Sequence, residues 1–338
     1  MRKVLIHMSK KRWVALGIAV LLFVVSLIAR VSGTMATANW SDFMAGFKDE
    51  YTETVEQEGD FDSRIAVVTL DGVIQDDGEG SIFSTAGYNH RQMMNVLDFA
   101  AEDESVDGII MRINTPGGGV VESAEVHDKI VEIQKRYKKP VYVSMGNTAA
   151  SGGYYIAAGA DKIVAHPATL TGSIGVIMQT LDYSELANDL GVDFNTIKSG
   201  KHKDILSPTR HMTQDERKIL QTMIDQMYGE FVDVIVKGRD MPEDQVRKLA
   251  DGRVYTGIQA KENGLIDEIG SLENTITMMK KDYKLNGAEV FRYDGGGVFG
   301  SWAGATMQKT FGMEKDFFGI REIIEKSNSP RAMYLYTE

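Results

Sequence analysis

Two segments with one shared pattern decide the fold: VDGIIMRINTPGGG at 106–119 and PVYVSMGNTAASGG at 140–153. In each, a run rich in Val, Ile and Met, typical of a buried strand, ends in a cluster of small residues with glycines. A helix-like stretch accompanies each cluster, VESAEVHDKIVEIQKRYKK at 121–139 and ASGGYYIAAGA at 150–160. Alternation of strand, glycine turn and helix predicts an α/β protein whose sheet is buried on both faces.

The neighbouring sequence continues the pattern in both directions. IAVVTL at 65–70 and KIVAH at 162–166 predict further strands, and 91–103 predicts a helix. A long amphipathic helix is predicted over 213–237, where Thr213 and Glu216 have the spacing of a capping box. Four apolar residues of this helix recur at a spacing that predicts core or subunit contact: Ile219, Met223, Met227 and Phe231.

Composition excludes several classes of protein. The 338 residues include no cysteine, which removes thiol nucleophiles, disulfides and Cys-ligated metals. The 37 basic and 48 acidic residues give a net charge of −11, and a main nucleic-acid partner would require clustered Lys and Arg instead. The composition is that of an ordinary globular protein.

The first residues differ in charge and hydropathy from the rest. WVALGIAVLLFVVSLIA at 13–29 carries no charge and follows five basic residues. This predicts a transmembrane anchor over 13–31, with residues 1–12 in the cytoplasm and the remainder outside the membrane. The alternative is a cleaved secretory signal, because Ala36-Thr37-Ala38 fits a cleavage pattern.

The remaining sequence divides into three parts. Residues 32–63 are strongly acidic and predict a solvated stalk, or in their first half an amphipathic helix near the membrane surface. The α/β domain is predicted over 64–295, and 296–338 forms a C-terminal extension. Pro330 favours an extended conformation for the apolar segment 332–336. That segment is expected to be buried against a neighbouring subunit, to occupy a substrate groove, or to be trimmed by the enzyme itself.

The glycine cluster at 117–119 has three interpretations. It is a plain turn, a phosphate site at a helix start, or an oxyanion site in which backbone N–H groups face a ligand. Neither the dinucleotide-binding nor the P-loop glycine pattern is present, which argues against nucleotides. The oxyanion interpretation requires a nucleophile nearby.

Ser151 is the candidate nucleophile. It lies between a predicted strand and helix and is followed by Gly152 and Gly153, which leave room for a substrate. A serine in this position is also a common helix N-cap. If the two predicted strands are neighbours, the amides of Gly118 and Gly152 lie beside the Ser151 hydroxyl, and this favours the nucleophile.

The sequence offers two kinds of general base. His166, at a predicted strand end, is the best histidine for a Ser-His pair, although structural or surface roles are favoured over this one. The alternative is a lysine from IKSGKHKDI at 197–205. A lysine amine acts as a base only when neutral, which requires shielding from bulk water. Spacing alone does not choose among Lys198, Lys201 and Lys203.

Four segments together resemble the signal peptide peptidase A family of membrane-bound Ser-Lys peptidases, in its short, single-repeat form typical of Gram-positive bacteria. They are NTPGGGVVESAEVHDKI (114–130), VSMGNTAASGGYYIAAGADKIVAHPATLTGSIGVI (143–177), IKSGKHKDI (197–205) and DGRVYTGIQAKENGLIDEIG (251–270). The resemblance implies a Clp/crotonase-like core of repeated β-β-α units within residues 64–295.

The resemblance also implies a site and a substrate class. Ser151 would be the nucleophile, Lys203 the base, Gly118 and Gly152 the oxyanion amides, and Ser173 the group that orients the lysine. No metal or cofactor is implied. The implied substrates are short apolar peptides, principally released signal peptides. The implied assembly is a membrane-associated ring or dome of identical subunits, with sites completed by neighbouring protomers.

Two other functions remain as alternatives. One is an acyl-CoA-binding crotonase relative that uses the oxyanion geometry without a nucleophile. The other is a non-catalytic membrane scaffold assembled through its long helices. The pairing of Ser151 with Lys203 and the predicted anchor favour the peptidase over both.

Overall fold

The structure is a computed structural model, and it describes residues 51–76, 88–295 and 332–336. The strands are β1 Tyr51–Gln57, β2 Asp60–Asp71, β3 Val106–Thr115, β4 Gly117–Gly119, β5 Val141–Ala150, β6 Lys162–Ala165, β7 Leu170–Gly172, β8 Val254–Thr256, β9 Glu268–Ile269, β10 Ala288–Gly295 and β11 Met333–Leu335. The helices are α1 His90–Glu102, α2 Val120–Glu132, α3 Gly152–Ala157, α4 Ser184–Asp189, α5 Gln214–Arg239, α6 Glu243–Leu249, α7 Gly257–Glu262 and α8 Leu272–Asp282. A π-helical turn, Ile133–Tyr137, continues α2.

The main sheet has the strand order β1-β10-β2-β3-β5-β6-β9, with β7 beside β5 and β8 beside β7. The pairs β10·β2, β2·β3, β3·β5, β5·β6, β5·β7 and β6·β9 are parallel. The β7·β8 pair is antiparallel. The predicted α/β class is confirmed, and the sheet is mainly parallel. The two strands that carry the glycine clusters, β3 and β5, are neighbours.

Both faces of the sheet lie in the core. Ile65 and Val67 of β2 pack in one cluster with Met279 of α8. Ala66 and Val68 point to the opposite face, because side chains alternate along a strand, and they are at most 2% exposed. Burial of consecutive residues explains why these strands are continuous apolar runs.

Helix α5 follows its sequence prediction at the start but not along its whole apolar stripe. Thr213 and Glu216 form the predicted capping box. Phe231 is fully buried, whereas Ile219 and Met223 are 41% and 40% exposed. The first half of the stripe is therefore partly open to solvent in one copy of this chain.

The predicted stalk is corrected at its C-terminal end, because β1 and the start of β2 lie within residues 51–63 and belong to the sheet. Arg64 is 2% exposed and donates hydrogen bonds to Glu53 of β1 and Glu289 of β10. Its guanidinium also lies 3.6 Å from the ring centroid of Phe291. A carboxylate of the acidic segment therefore serves as the partner of a buried arginine.

Several predicted features lie outside the described residues. These are residues 1–12, the anchor at 13–31, the Ala38 cleavage point, the first part of the stalk, and the C-terminal extension apart from 332–336. Among the helices that the structure does describe, none is long and apolar enough to cross a membrane.

Candidate active site

The glycine cluster after β3 is held by close backbone contacts. The N–H of Ile74 donates to the carbonyl of Gly117 at 2.9 Å, and the N–H of Gly119 donates to the carbonyl of Ile74 at 2.7 Å. Gly117 has φ +104°, a conformation that favours glycine, and a Cβ on Gly118 would collide with the Ile74 carbonyl. Glycine is thus required at both positions by geometry.

Ser151 sits in a strained conformation between β5 and α3, with φ 52° and ψ −114°. Its N–H donates to the carbonyl of Gly172 at 2.7 Å. The residue is 1% exposed, and its Oγ makes no hydrogen bond within the described ranges. A buried, unpartnered hydroxyl on a strained turn is unusual for a helix cap and is typical of functional sites.

The two glycine clusters meet at Ser151. A Cβ placed on Gly152 would lie 3.2 Å from the amide nitrogen of Gly118 and 2.5 Å from Ser123 Oγ. Ser123 itself donates to the carbonyl of Gly119 at 2.7 Å, which fixes the start of α2. The structure therefore brings the amides of Gly118 and Gly152 together beside the residue predicted to be the nucleophile.

Ser173 lies next to Ser151 across a strand pair. Ala150 of β5 is in register with Gly172 of β7, so residues 151 and 173 follow directly on adjacent strands. Ser173 is 7% exposed, has φ 48°, and donates its N–H to the carbonyl of Arg253 at 2.8 Å. Like Ser151, it is a buried serine with a positive φ.

The three candidate lysines differ in what their amines contact. Lys198 Nζ forms a 2.5 Å ion pair with Asp204, and Lys201 Nζ forms a 2.9 Å ion pair with Asp215. Lys203 is exposed, and within the described part of the chain its side chain makes neither an ion pair nor a hydrogen bond, to Ser151 or to any other group. Of the three, Lys203 has the amine least committed to a carboxylate, but one copy of this chain does not bring it to Ser151.

His166 is not placed as a partner of Ser151. The residue is exposed, and its Nδ1 accepts a hydrogen bond from the N–H of Ala168 at 3.2 Å. Its own N–H donates to Thr169 Oγ1 at 3.1 Å. These contacts give His166 the role of closing the turn after β6, in agreement with the structural interpretation of this residue.

The apolar segment near the C-terminus lies along the glycine cluster. Strand β11 pairs antiparallel with β4, with Tyr334 opposite Gly118. A Cβ placed on Gly117 would collide with the carbonyl oxygen of Tyr334 and would lie 2.7 Å from the amide nitrogen of Gly152. These two groups therefore lie on the same side of Gly117. An extended apolar segment of this chain thus lies along β4, with one of its carbonyls close to the amide nitrogen of Gly152.

An aromatic pocket accepts the side chain of Tyr334. The Tyr334 ring stacks on Tyr155 at 5.1 Å between centroids and tilts against Phe231 at 4.7 Å. Its hydroxyl donates to the carbonyl of Met227 at 3.0 Å. Burial raises the pKa of Tyr155 to about 12.

Sequence reasoning missed the pocket. The spacing of Phe231 and Met227 predicts core or contact residues of a helix, and no local signal brings α5 to Tyr334. Tyr155 could have been suspected from its position four residues after the serine, on the same face of α3.

The described residues hold no cluster of three or more His, Asp or Glu arranged to bind a metal ion. The chemistry on view is that of a hydroxyl, two backbone amides and an extended peptide bound beside them. A strained serine at a strand-to-helix turn, close to two glycine amides in an α/β fold, is typical of a serine hydrolase.

Comparisons with known proteins agree with this class. The model of Peptidase family S49 matches residues 133–286. A relative from Enterococcus faecium named signal peptide peptidase SppA is 40% identical over 97% of this chain and 99% of its own length. Protease 4 of Haemophilus influenzae is 37% identical over 63% of this chain, which spans only 34% of that protein. The chloroplastic serine protease SPPA of Arabidopsis thaliana is 35% identical over 56% of this chain.

The near full-length similarity to the Enterococcus protein decides the family. This chain belongs to the SppA family of S49 serine peptidases.

Proposed function

We propose that this peptidase hydrolyses short apolar peptides, such as released signal peptides, through a Ser151–Lys203 dyad. The observation that carries the proposal is strand β11, an apolar peptide bound antiparallel to β4 with a carbonyl near the Gly152 amide. Addition of a strand gives affinity for the backbone of any extended peptide, and a pocket for one side chain adds selectivity. The aromatic pocket around Tyr334 favours a large apolar side chain there.

In the proposed mechanism, neutral Lys203 Nζ takes the proton of Ser151 Oγ, which attacks the scissile carbonyl carbon. The N–H groups of Gly118 and Gly152 stabilise the resulting oxyanion. The lysine ammonium then gives its proton to the leaving amine, and the peptide bond breaks to leave an acyl-enzyme. Water, deprotonated by the same amine, hydrolyses the ester and restores Ser151.

Ser173 is proposed to orient the lysine by accepting a hydrogen bond from its amine. The basis is its position beside Ser151 on the adjacent strand end. A hydroxyl acceptor adds no charge, so it directs the amine without favouring the ammonium as a carboxylate would.

Lys203 is proposed to reach Ser151 of a neighbouring subunit. Within one chain the lysine is exposed and the serine is buried. Large apolar side chains between residues 181 and 197 are also exposed, a pattern typical of a protein interface: Leu181, Leu186, Leu190, Val192, Phe194 and Ile197. Association of identical subunits in a ring or dome would cover this surface and shield the lysine from bulk water.

The remaining parts of the proposal concern placement in the cell and the class of core. Residues 13–31 are proposed as a single-pass membrane anchor with the peptidase domain outside the cytoplasm, supported by the uncharged run and the basic residues before it. The parallel sheet with glycine-bearing strand ends supports assignment of the core to the Clp/crotonase-like folds.

A labelling experiment tests the proposed nucleophile. Full-length protein in detergent should react stoichiometrically with a fluorophosphonate at Ser151, as located by peptide mass spectrometry, and Ser151→Ala should not react. A crotonase relative without a nucleophile, or a scaffold, would leave the wild type unlabelled.

The pH profile tests the proposed base. We expect kcat/KM to rise towards alkaline pH, because an ammonium group cannot accept the serine proton. The phenol of Tyr155 is not the group that produces this rise, because burial raises its pKa to about 12. The profile of His166→Ala should match that of the wild type. A low-pH limb near about 6.5 that disappears in His166→Ala would support a Ser-His pair instead.

Processing of the chain by its own site is a third expectation. Since the carbonyl near the Gly152 amide belongs to Tyr334, cleavage is expected after this residue. Intact-mass spectrometry should show loss of residues 335–338 in wild type but not in Ser151→Ala. Identical full-length masses in both proteins would leave β11 with only a packing role.

A further inference from the structure

The backbone next to Lys203 is held by one arginine. Arg210 donates from Nε to Asp204 Oδ2 at 3.0 Å and from Nη2 to Asp204 Oδ1 at 2.8 Å. Nη2 also donates to the main-chain carbonyl of Asp204 at 2.9 Å, and the same carbonyl accepts the N–H of Ser207 at 3.0 Å. The residue that follows Lys203 is therefore fixed through both its side chain and its backbone.

The same guanidinium reaches the first turn of α5. Arg210 Nη1 and Nη2 donate to the two carboxylate oxygens of Glu216 at 2.9 and 2.6 Å. The Glu216 side chain is 2% exposed and also accepts from the N–H and Oγ1 of Thr213 at 2.9 Å each. Arg210 thus connects the loop that carries Lys203 to the capped, rigid end of a 26-residue helix.

The two carboxylates that Arg210 binds, those of Asp204 and Glu216, stay charged over the pH range in which a peptidase works. Hydrogen bonds from Arg210, and then from Lys198, hold the pKa of Asp204 well below its usual range. Hydrogen bonds from Arg210 and from the Thr213 backbone do the same for the pKa of Glu216. Both carboxylates are therefore charged wherever the lysine amine is neutral, and the connection persists at alkaline pH.

We propose that Arg210 is a positioning residue that places the Lys203 amine for its reaction with Ser151. This inference rests on the proposed dyad. No regular helix or strand lies between α4 and α5, so Lys203 has no element of its own to orient it. A lysine that must enter the site of a neighbouring subunit needs a rigid support in its own chain. The planar fork of Arg210 binds two carboxylates and a carbonyl at once, which a lysine at this position cannot do.

Kinetics of Arg210→Lys test the inference. The full-length variant in detergent should show kcat lowered by about 10- to 100-fold on a chromogenic peptide ester, because a misplacement near 1 Å costs about that factor. KM should stay within about threefold, because the peptide groove of β4 is unchanged. Glu216→Gln keeps a side-chain oxygen that can accept the N–H of Thr213 and so cap the helix. It should also lower kcat, but by a smaller factor than Arg210→Lys does.

A neighbouring ion pair supplies the matched control. Lys201 and Asp215 also join this loop to the first turn of α5, but their side chains are 68% and 64% exposed. Because exposed pairs contribute little, Asp215→Asn should keep kcat within about twofold of the wild type. Equal effects of Asp215→Asn and Glu216→Gln would overturn the inference.

A double-variant cycle separates positioning from a general structural role. If Arg210 acts through Lys203, the change Arg210→Lys should lower the residual ester turnover of Lys203→Ala by less than about twofold. A further loss equal to the loss seen in wild type would show that Arg210 supports the fold or assembly instead. If Lys203→Ala itself kept wild-type activity, the dyad would be wrong whatever Arg210→Lys does.

Discussion

Ser151→Ala is expected to lower kcat/KM for an apolar peptide by at least about a thousandfold, and Lys203→Ala by a similar factor. The two side chains share one step, since the serine attacks only as its proton leaves to the amine. Loss of either member of such a pair costs nearly as much as loss of both. Steady-state kinetics of the full-length proteins, with far-UV circular dichroism as the check on folding, measures both effects.

Lys201→Ala is the control for this pair of variants. Its amine is paired with Asp215 on the protein surface, so kcat/KM should change by less than about twofold. Lys198→Ala should have a modest effect, because Arg210 still holds Asp204 when the Lys198 ion pair is removed. Retention by Lys203→Ala of activity within about tenfold, or about 1.4 kcal/mol of barrier, would rule out the assigned base.

The sheet and the Ser151 turn were predictable because their signals are local. Buried parallel strands are continuous apolar runs, and β3, β5 and β6 fall within one residue of their predicted starts. A positive φ requires glycine at 117, and close contact with the Ile74 backbone requires it at 118. A run of glycines after an apolar strand therefore indicates a tight turn at this point of the sequence. The capping box of α5 is likewise a short-range pattern.

Features that depend on long-range pairing were not predictable in the same way. The sequence of β11 indicates a buried extended segment but does not identify β4, some 215 residues earlier, as its partner. Charged residues in β1 indicated a stalk, because edge strands carry charges that resemble a solvated segment. The contacts of Arg210 with Asp204 and Glu216 depend on the path of a loop, and a loop has no periodic pattern from which its path can be predicted.

Mixing two inactive variants should restore activity if the dyad is shared between subunits. Ser151→Ala retains the lysine and Lys203→Ala retains the serine. In a closed ring in which each site takes its serine from one subunit and its lysine from the next, random one-to-one mixing leaves about a quarter of the sites complete. Co-expressed, differently tagged full-length subunits, purified through both tags, should therefore hydrolyse peptide at about a quarter of the wild-type rate.

The double variant Ser151→Ala/Lys203→Ala is the control, because its mixtures with either single variant contain no complete site. A dyad formed within one chain predicts no recovery in any mixture, so an inactive mixture of the single variants that still co-purifies through both tags would refute the shared site. Within one chain Lys203 is exposed and Ser151 is buried, and this separation favours recovery. Recovery would also explain why Ile219, Met223 and the apolar side chains between residues 181 and 197 are exposed in one copy, since a neighbouring subunit would cover them while it delivers or receives the lysine.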